Sequence, residues 1–553
     1  MNMFNYKRRE SSETLVGKVA LGAKNPIRIQ SMTNTNTMNT EKSVQQAILI
    51  AEEGGELVRL TAQGTREAEN LKEIHSLLRE KGYDTPLVAD IHFNPKAAEV
   101  AAQYVEKVRI NPGNFANGGI EEIEKKLIPL LDICKKHQTA IRIGVNHGSL
   151  SSRILDKYGD TPQGMVVSAM EFLRLCRKHD FQNVVISMKS SNTMVMVQSV
   201  RLLVKEMNQE GMNFPLHLGV TEAGDGEDGR VKSAVGIGTL LADGIGDTIR
   251  VSLSEDPEKE IPVAKKLVEY ISSRENHSMI SGEESSSYSP FAYVRRETKK
   301  VGLFGYNQTP VIIAPQKASY GDLEPDFVGL SDTRLSDISF VEVDSITCKE
   351  KLIDLSENTV IIVSPTNKNV VGDMKAVMHY LLNQRIEAPV VFHLKYKTED
   401  LELFQVMLGA DLGAMLLDGF GDGVMVECES STITLEQVNA TIFGALQAAR
   451  VRISKTEYIS CPSCGRTLFD LQTTIAKIKE RTSHLKGLKI GIMGCIVNGP
   501  GEMADADFGY IGAGVGKVSL YKAQECIEKN IPEEDAVDRL IQLIKDNGRW
   551  VEK

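Results

Sequence analysis

The stretch VRINPGN (108–114) sets one arginine between two aliphatic residues and then breaks off in Asn-Pro-Gly. Valine and isoleucine favour extended backbone while proline and glycine end it, so the unit predicts a short strand running into a turn. Outward from it, similar segments stand at 27–30, 58–61, 87–90, 141–145, 183–188, 216–220 and 248–252, each followed by helical periodicity. With 108–111 they make eight. Eight strands alternating with helices over roughly 250 residues predict a TIM (β/α)8 barrel, whose functional groups gather at the C-terminal ends of the strands.

A chain of 553 residues is too long for a single core. Residues 272–290, SSRENHSMISGEESSSYSP, are polar and Ser-rich without a period, which predicts a flexible linker. Strand candidates follow at 310–314, 340–343, 359–363, 390–394 and 414–417, separated by helical stretches such as 369–383. The expected division is a TIM-barrel substrate domain over 1–275, an inserted α/β domain over 290–448 and an α+β domain over 452–553. The last ends in a helix within IPEEDAVDRLIQLIKDNG (531–548).

The inserted domain reads as a degenerate copy of the barrel. NVVISMKSSN (183–192) matches NTVIIVSPTN (358–367), and LADGIGDTIRV (241–251) matches LLDGFGDGVMV (416–426), both at an offset of 175 residues. His217 has a near-counterpart in His393. At this offset Lys189 becomes Ser364 and Arg250 becomes Met425, so the copy keeps the apolar frame, loses the cations and reads as structural.

Composition is ordinary, with 42% hydrophobic and 25% charged residues and no apolar run long enough to cross a bilayer, which predicts a soluble protein. MNMFNYKRRE at the start carries no apolar segment of a secretory signal and does not read as a transit peptide, so a cytoplasmic location is expected. A net charge of −10 disfavours nucleic acid, and a phosphorylated ligand must be held by local cations. Eight cysteines in so large a chain argue against a disulfide framework, and Cys134, Cys176, Cys348 and Cys428 read as isolated inert thiols.

Four predicted strands carry an arginine between aliphatics: Arg59, Arg109, Arg142 and Arg250. If the aliphatic neighbours face the helices, the arginines point into the barrel. Converging guanidinium groups need compensation, and a forked phosphate contact supplies it; pairing with Asp90, Glu222 and Asp247 is the alternative. Asp90, His92, Asn111, Asn146, His147, Lys189, Glu222, Ser252 and Ser254 stand near the same strand ends.

Cys461-x2-Cys464 has chelating spacing, and Cys495 follows in a Gly-rich turn. A zinc site closed by Cys526, expected in a helix, or by His484 is one reading. A [4Fe–4S] cube on three thiolates with one iron open is the other. Glu502, just past Asn498-Gly499-Pro500-Gly501, is near enough to join it. No G-x-G-x-x-G opens a helix after a strand, so direct use of a nicotinamide is not expected.

CPSCGRTLFDLQ (461–472) and MGCIVNGPGE (493–502) resemble the 4-hydroxy-3-methylbut-2-en-1-yl diphosphate synthase family of the methylerythritol phosphate pathway. QSMTNT (30–35), ADIHFNP (89–95), VRINPGN, RIGVNHGSL (142–150), LGVTEAG (218–224) and GIGDTIRVSLS (244–254) resemble its barrel. The resemblance implies a two-electron reductive ring opening and dehydration of 2-C-methyl-D-erythritol 2,4-cyclodiphosphate. It implies a [4Fe–4S] cluster on Cys461, Cys464, Cys495 and Glu502, and substrate contacts from Arg59, Arg109, Arg142, Asn146, Lys189, Arg250 and Ser252. Glu222 falls at the acid–base carboxylate, with Glu502 the catalytic group at the open iron. Ferredoxin or flavodoxin is the implied electron donor. The inserted domain matches the three-domain form, and it is expected to act as a spacer that lets the cluster domain cap the barrel of its own chain. A homodimer, as in the two-domain form, stays open.

Overall fold

The computed structural model describes residues 3–116, 118–318, 320, 322–497 and 499–552; Asn498 of the predicted turn lies outside them. The chain divides into two compact units. One comprises Glu10–Gly229, Gly246–Lys265 and the chain from Lys455 onward; the other comprises the chain up to Arg9, Arg230–Ile245 and Lys266–Ser454.

The first unit opens with a hairpin, β1 (Thr14–Val16) and β2 (Val19–Leu21). Eight parallel strands follow: β3 (Arg28–Met32), β4 (Leu57–Ala62), β5 (Leu87–Ile91), β6 (Lys107–Ile110), β7 (Ala140–Asn146), β8 (Val184–Lys189), β9 (His217–Leu218) and β10 (Thr248–Ile249). Their order is β8-β7-β6-β5-β4-β3-β10-β9, and a parallel bridge from Ile186 to Leu216 joins the two ends, so the predicted TIM barrel is present. Val16 and Leu21 of the hairpin pack with Leu57, Val88, Ala140 and Val185, plugging one end with apolar side chains. The last two strands are shorter than predicted. A Cβ on Gly219 would stand 2.6 Å from Lys189 Nζ, so the chain beyond Leu218 makes room for a cation.

The C-terminal part of this unit holds β17 (Glu457–Ser460), β18 (Lys489–Met493), β19 (Phe508–Gly514), β20 (Lys517–Lys522) and β21 (Glu525–Pro532) in that order. The first three are parallel and the last two antiparallel, with helices Leu471–Thr482 and Glu533–Asp546, an α+β arrangement as predicted. Cys526 lies in β21, not in a helix; its strand is an exposed edge whose burial largely alternates.

The second unit is built on six parallel strands: β11 (Val311–Ala314), β12 (Phe327–Val328), β13 (Ser339–Val343), β14 (Thr359–Val363), β15 (Val390–Lys397) and β16 (Gly423–Glu429). Residues 414–417, predicted as a strand, belong instead to the end of helix Leu401–Leu416, which Asp400 caps through Leu403 N–H. Every residue from Phe404 to Leu416 is buried, so the run had no polar face to reveal a helical period. The predicted flexible linker has no regular elements between 273 and 290 but is anchored: Ile280 packs on Phe4 and Ala376, and Ser285 N–H donates to His379 Nδ1 at 2.9 Å.

The strand order β12-β11-β16-β15-β14-β13 repeats the barrel order β4-β3-β10-β9-β8-β7, leaving β5 and β6 without a counterpart. Register supports the match. Asp247 accepts from Leu216 N–H and Asp422 from Val390 N–H, and Thr248 faces His217 as Gly423 faces Val391. The counterpart of His217 is therefore Val391, and the predicted match with His393 is two residues out of register.

Candidate active site

Strand register decides what faces the barrel interior. Arg109 partners Arg142 across β6 and β7, Met32 partners Arg59 across β3 and β4, and Asn146 partners Lys189 across β7 and β8. Residues level on neighbouring strands share a face. These side chains, with Asp90, Glu222, Arg250 and Ser252, line one cavity at the C-terminal strand ends. Cys461, Cys464, Cys495 and Glu502 line the same cavity from the C-terminal segment, so all the predicted site residues meet.

Six cations line the cavity, Arg59, Arg109, Arg142, Lys189, Arg250 and Arg466, against three carboxylates, Asp90, Glu222 and Glu502. The pairing alternative holds only in part. Arg109 donates to Asp90 at 3.1 Å, to Gly144 O at 2.9 Å and to Asn146 Oδ1 at 3.1 Å. Arg250 pairs with Glu260, which the sequence had not singled out, while Asp247 takes Leu216 N–H and the Ser11 hydroxyl. Arg59 donates only to the Met32 sulfur, a weak acceptor. Nε and Nη1 of Arg142 are buried without a partner. A buried guanidinium in that state is costly, so the excess charge calls for an anion.

The same imbalance appears in proton affinities. Burial, then Arg142 and Arg59, hold Lys189 well below the usual lysine range. Burial lowers Arg59 to about 10, with Asp90 opposing and Arg250 and Arg109 adding to the fall. Burial also disfavours the charge on Asp90, but Arg59 and Arg109 outweigh it and keep that carboxyl well below its ordinary value. Glu222 goes the other way: burial and the facing Glu502 push it well up, which favours its protonated form.

The three thiols fit a multi-iron group. Burial pushes the Cys461 thiol well up, so a thiolate there requires a bound cation, and Gly494 N–H already donates to its sulfur at 3.2 Å. Among the described residues no three His, Cys, Asp or Glu side chains converge on the position of a single metal ion. Cys526 Sγ donates to Glu528 O and His484 meets Val551 O, and neither lines the cavity of the three thiols. Cys461, Cys464 and Cys495 share one cavity, and three thiolates are a donor set that an iron–sulfur cube can use.

The C-terminal segment is seated closely on the barrel rim. Asn146 Nδ2 donates to Glu502 Oε1 at 2.9 Å, Ser254 Oγ meets Ser460 Oγ at 3.0 Å, and Lys479 pairs with Asp225 at 2.5 Å. Gly148, with φ of +81°, and Gly501 approach backbone to backbone. A Cβ on either would lie 2.1 to 2.2 Å from the carbonyl oxygen of the other. Of the other strand-end candidates, His92 meets Arg466, Asn111 caps helix Pro112–Phe115, and His147 lies against Asp160. Arg466 also lines the cavity, although its place two residues beyond Cys464 gave the sequence no sign of that role.

Comparison with known proteins bears on this cavity. Residues 11–265 match the GcpE TIM-barrel domain and residues 457–546 the GcpE protein C-terminal domain. A 4-hydroxy-3-methylbut-2-en-1-yl diphosphate synthase (flavodoxin) of Parabacteroides distasonis is 53% identical over 614 aligned positions, covering 100% of both chains. One of Phocaeicola vulgatus is 54% identical with the same coverage, and one of Akkermansia muciniphila is 43% identical over 99% of this chain and 98% of its own. Among solved structures, a truncated 3-deoxy-D-arabino-heptulosonate 7-phosphate synthase of Thermotoga maritima gives a TM-score of 0.33 at 14% identity. It covers 48% of this chain and 91% of that one, and so slight a likeness carries no argument.

Proposed function

The chain belongs to the GcpE family, and from that premise we propose that it opens 2-C-methyl-D-erythritol 2,4-cyclodiphosphate reductively to (E)-4-hydroxy-3-methylbut-2-enyl diphosphate. It is an oxidoreductase of isoprenoid biosynthesis. Two electrons and two protons enter, the ring C–O bond breaks, and one oxygen leaves as water. The observation that carries the reading is the single cavity in which an excess of buried cations faces three cysteines and a glutamate.

In this proposal Arg59, Arg109, Arg142, Asn146, Lys189, Arg250 and Ser252 hold the two phosphates. The unpartnered N–H groups of Arg142 suit a phosphate oxygen, and an anion there favours the charged form of Lys189. Cys461, Cys464, Cys495 and Glu502 hold a [4Fe–4S] cluster, which when bound supplies low-potential electrons and an iron of Lewis-acid character. Glu222, kept neutral, has a proton to give inside a site closed to water. Glu502, held by Asn146, would supply the cluster's one oxygen ligand beside the three thiolates.

The electron donor is flavodoxin or ferredoxin, the surroundings are cytoplasmic, and nucleic acid has no part. Among the described residues no helix is long and apolar enough to cross a membrane. The three-part division at 1–275, 290–448 and 452–553 leaves the middle part as a spacer, and deleting 291–448 with undiminished turnover would remove that role. Iron and acid-labile sulfide in anaerobically purified protein, with an electron paramagnetic resonance spectrum that changes on adding the cyclodiphosphate, is the expected result. Protein without iron or sulfide after reconstitution would overturn it.

A further inference from the structure

The cysteine-bearing segment brings a cation of its own into the cavity. Arg466 follows Cys464 by two residues and lines the cavity beside Cys464, Cys495 and Glu502. Its Nη1 lies 2.7 Å from His92 Nδ1 and 4.0 Å from Asp90 Oδ2, both on the barrel. Its Nε–H is buried and finds no acceptor among the described residues.

The barrel side is shaped for this contact. His92 follows β5, and the next residue, Phe93, is held at φ of +54°, a left-handed backbone unfavourable for a bulky side chain. Phe93 is 57% exposed, so burial of its ring does not explain the strain. The ring does stand edge-on to His92, with centroids 5.6 Å apart. The turn therefore fixes the imidazole that receives Arg466. Asp90 is shared: it accepts from Arg109 and stands within ion-pair reach of Arg466.

We propose that Arg466 is a positioning residue that couples closure of the C-terminal segment to the electronics of the group held by the cysteines. One edge of its guanidinium is latched to His92 and Asp90, and its remaining N–H and its charge are presented to that group. The idea rests on the cluster reading above. A positive charge beside thiolates favours the more negative, reduced state, so its removal lowers the reduction potential. Loss of the latch loosens the closed state in which substrate is held, and outer-sphere partners of this kind are typically worth about 10- to 100-fold in activity.

The test compares Arg466→Met, Arg466→Lys and His92→Ala with the wild type as anaerobic holoenzymes, measuring iron content, midpoint potential and KM for the cyclodiphosphate. Arg466→Met is expected to lower the potential and cut kcat/KM by about 10- to 100-fold. Arg466→Lys is expected to recover the potential but not KM, and His92→Ala to raise KM at a potential near that of the wild type. A loaded Arg466→Met with unchanged potential and KM overturns the inference. If Arg466→Met takes up no iron, the lysine variant decides: loaded with the wild-type potential it supports the inference, and empty it makes Arg466 a residue of cluster retention. A wild type without iron or turnover sinks the cluster reading, a different failure.

Discussion

The barrel and the six-stranded sheet share a frame and differ in what they point inward. By register, Arg142 of β7 corresponds to Phe340 of β13, Lys189 to Ser364, Arg250 to Met425, His217 to Val391 and Gln30 to Ile313. The inward positions of the six-stranded sheet, including Val311, Ile313, Phe327, Val360, Ile362, Val391 and Met425, form one hydrophobic cluster. The same backbone plan thus supports an interior completed by packing and one completed by a ligand. The barrel interior keeps buried cations beyond those its own carboxylates pair, Arg142 above all, at a cost that the apolar copy does not bear.

Exchanging counterparts breaks the comparison, and the largest effect is expected where a cation enters the apolar copy. Met425→Arg buries a charge among hydrocarbon and should cost about 3 to 5 kcal/mol, read as a fall in the denaturant midpoint. The converse, Arg142→Phe, should cut kcat/KM by about 100- to 1,000-fold while leaving the melting temperature unchanged or higher, because an unpartnered cation is gone. Unchanged activity there would unseat Arg142 as a phosphate ligand. At 100 times its dissociation constant the cyclodiphosphate should stabilise the wild type by about 2.7 kcal/mol, and Arg142→Phe should lose most of that thermal shift.

The smallest effect concerns protons. Burial, then Arg142 and Lys189, hold the His217 imidazole well below its usual range, so the folded chain refuses a proton that the unfolded chain binds below pH of about 6.5. Stability falls as pH drops through that value, by up to about 1.4 kcal/mol per pH unit for one proton. His217→Val, which installs the residue of the copy, should flatten the slope by that amount in denaturation series between pH 6.5 and 5.

Much of this was legible in the sequence because strands and turns are local. The arginines betrayed their direction through aliphatic flanks, since alternation along a strand needs no knowledge of the fold. The barrel positions and the cysteine segment line one cavity. Residues 414–417 misled because a helix buried on all sides has no period. Cys526 misled because an exposed edge strand has few apolar residues to mark it. Glu260 and Arg466 were invisible as partners, since Arg250 and His92 reach them only across tertiary contacts. The missing pair of strands was legible in neither copy alone; it emerges only when the two sheet orders are laid side by side.

Gly148 and Gly501 bear on how tightly the lid can shut. With no methyl group on either, two peptide planes come within a single atomic layer of one another. An alanine at either position would act as a shim, propping the rim open by about the width of a carbon atom and giving bulk solvent a path into the cavity. The tightness of the rim is thus set by two hydrogen atoms, one of them on the residue just before Glu502.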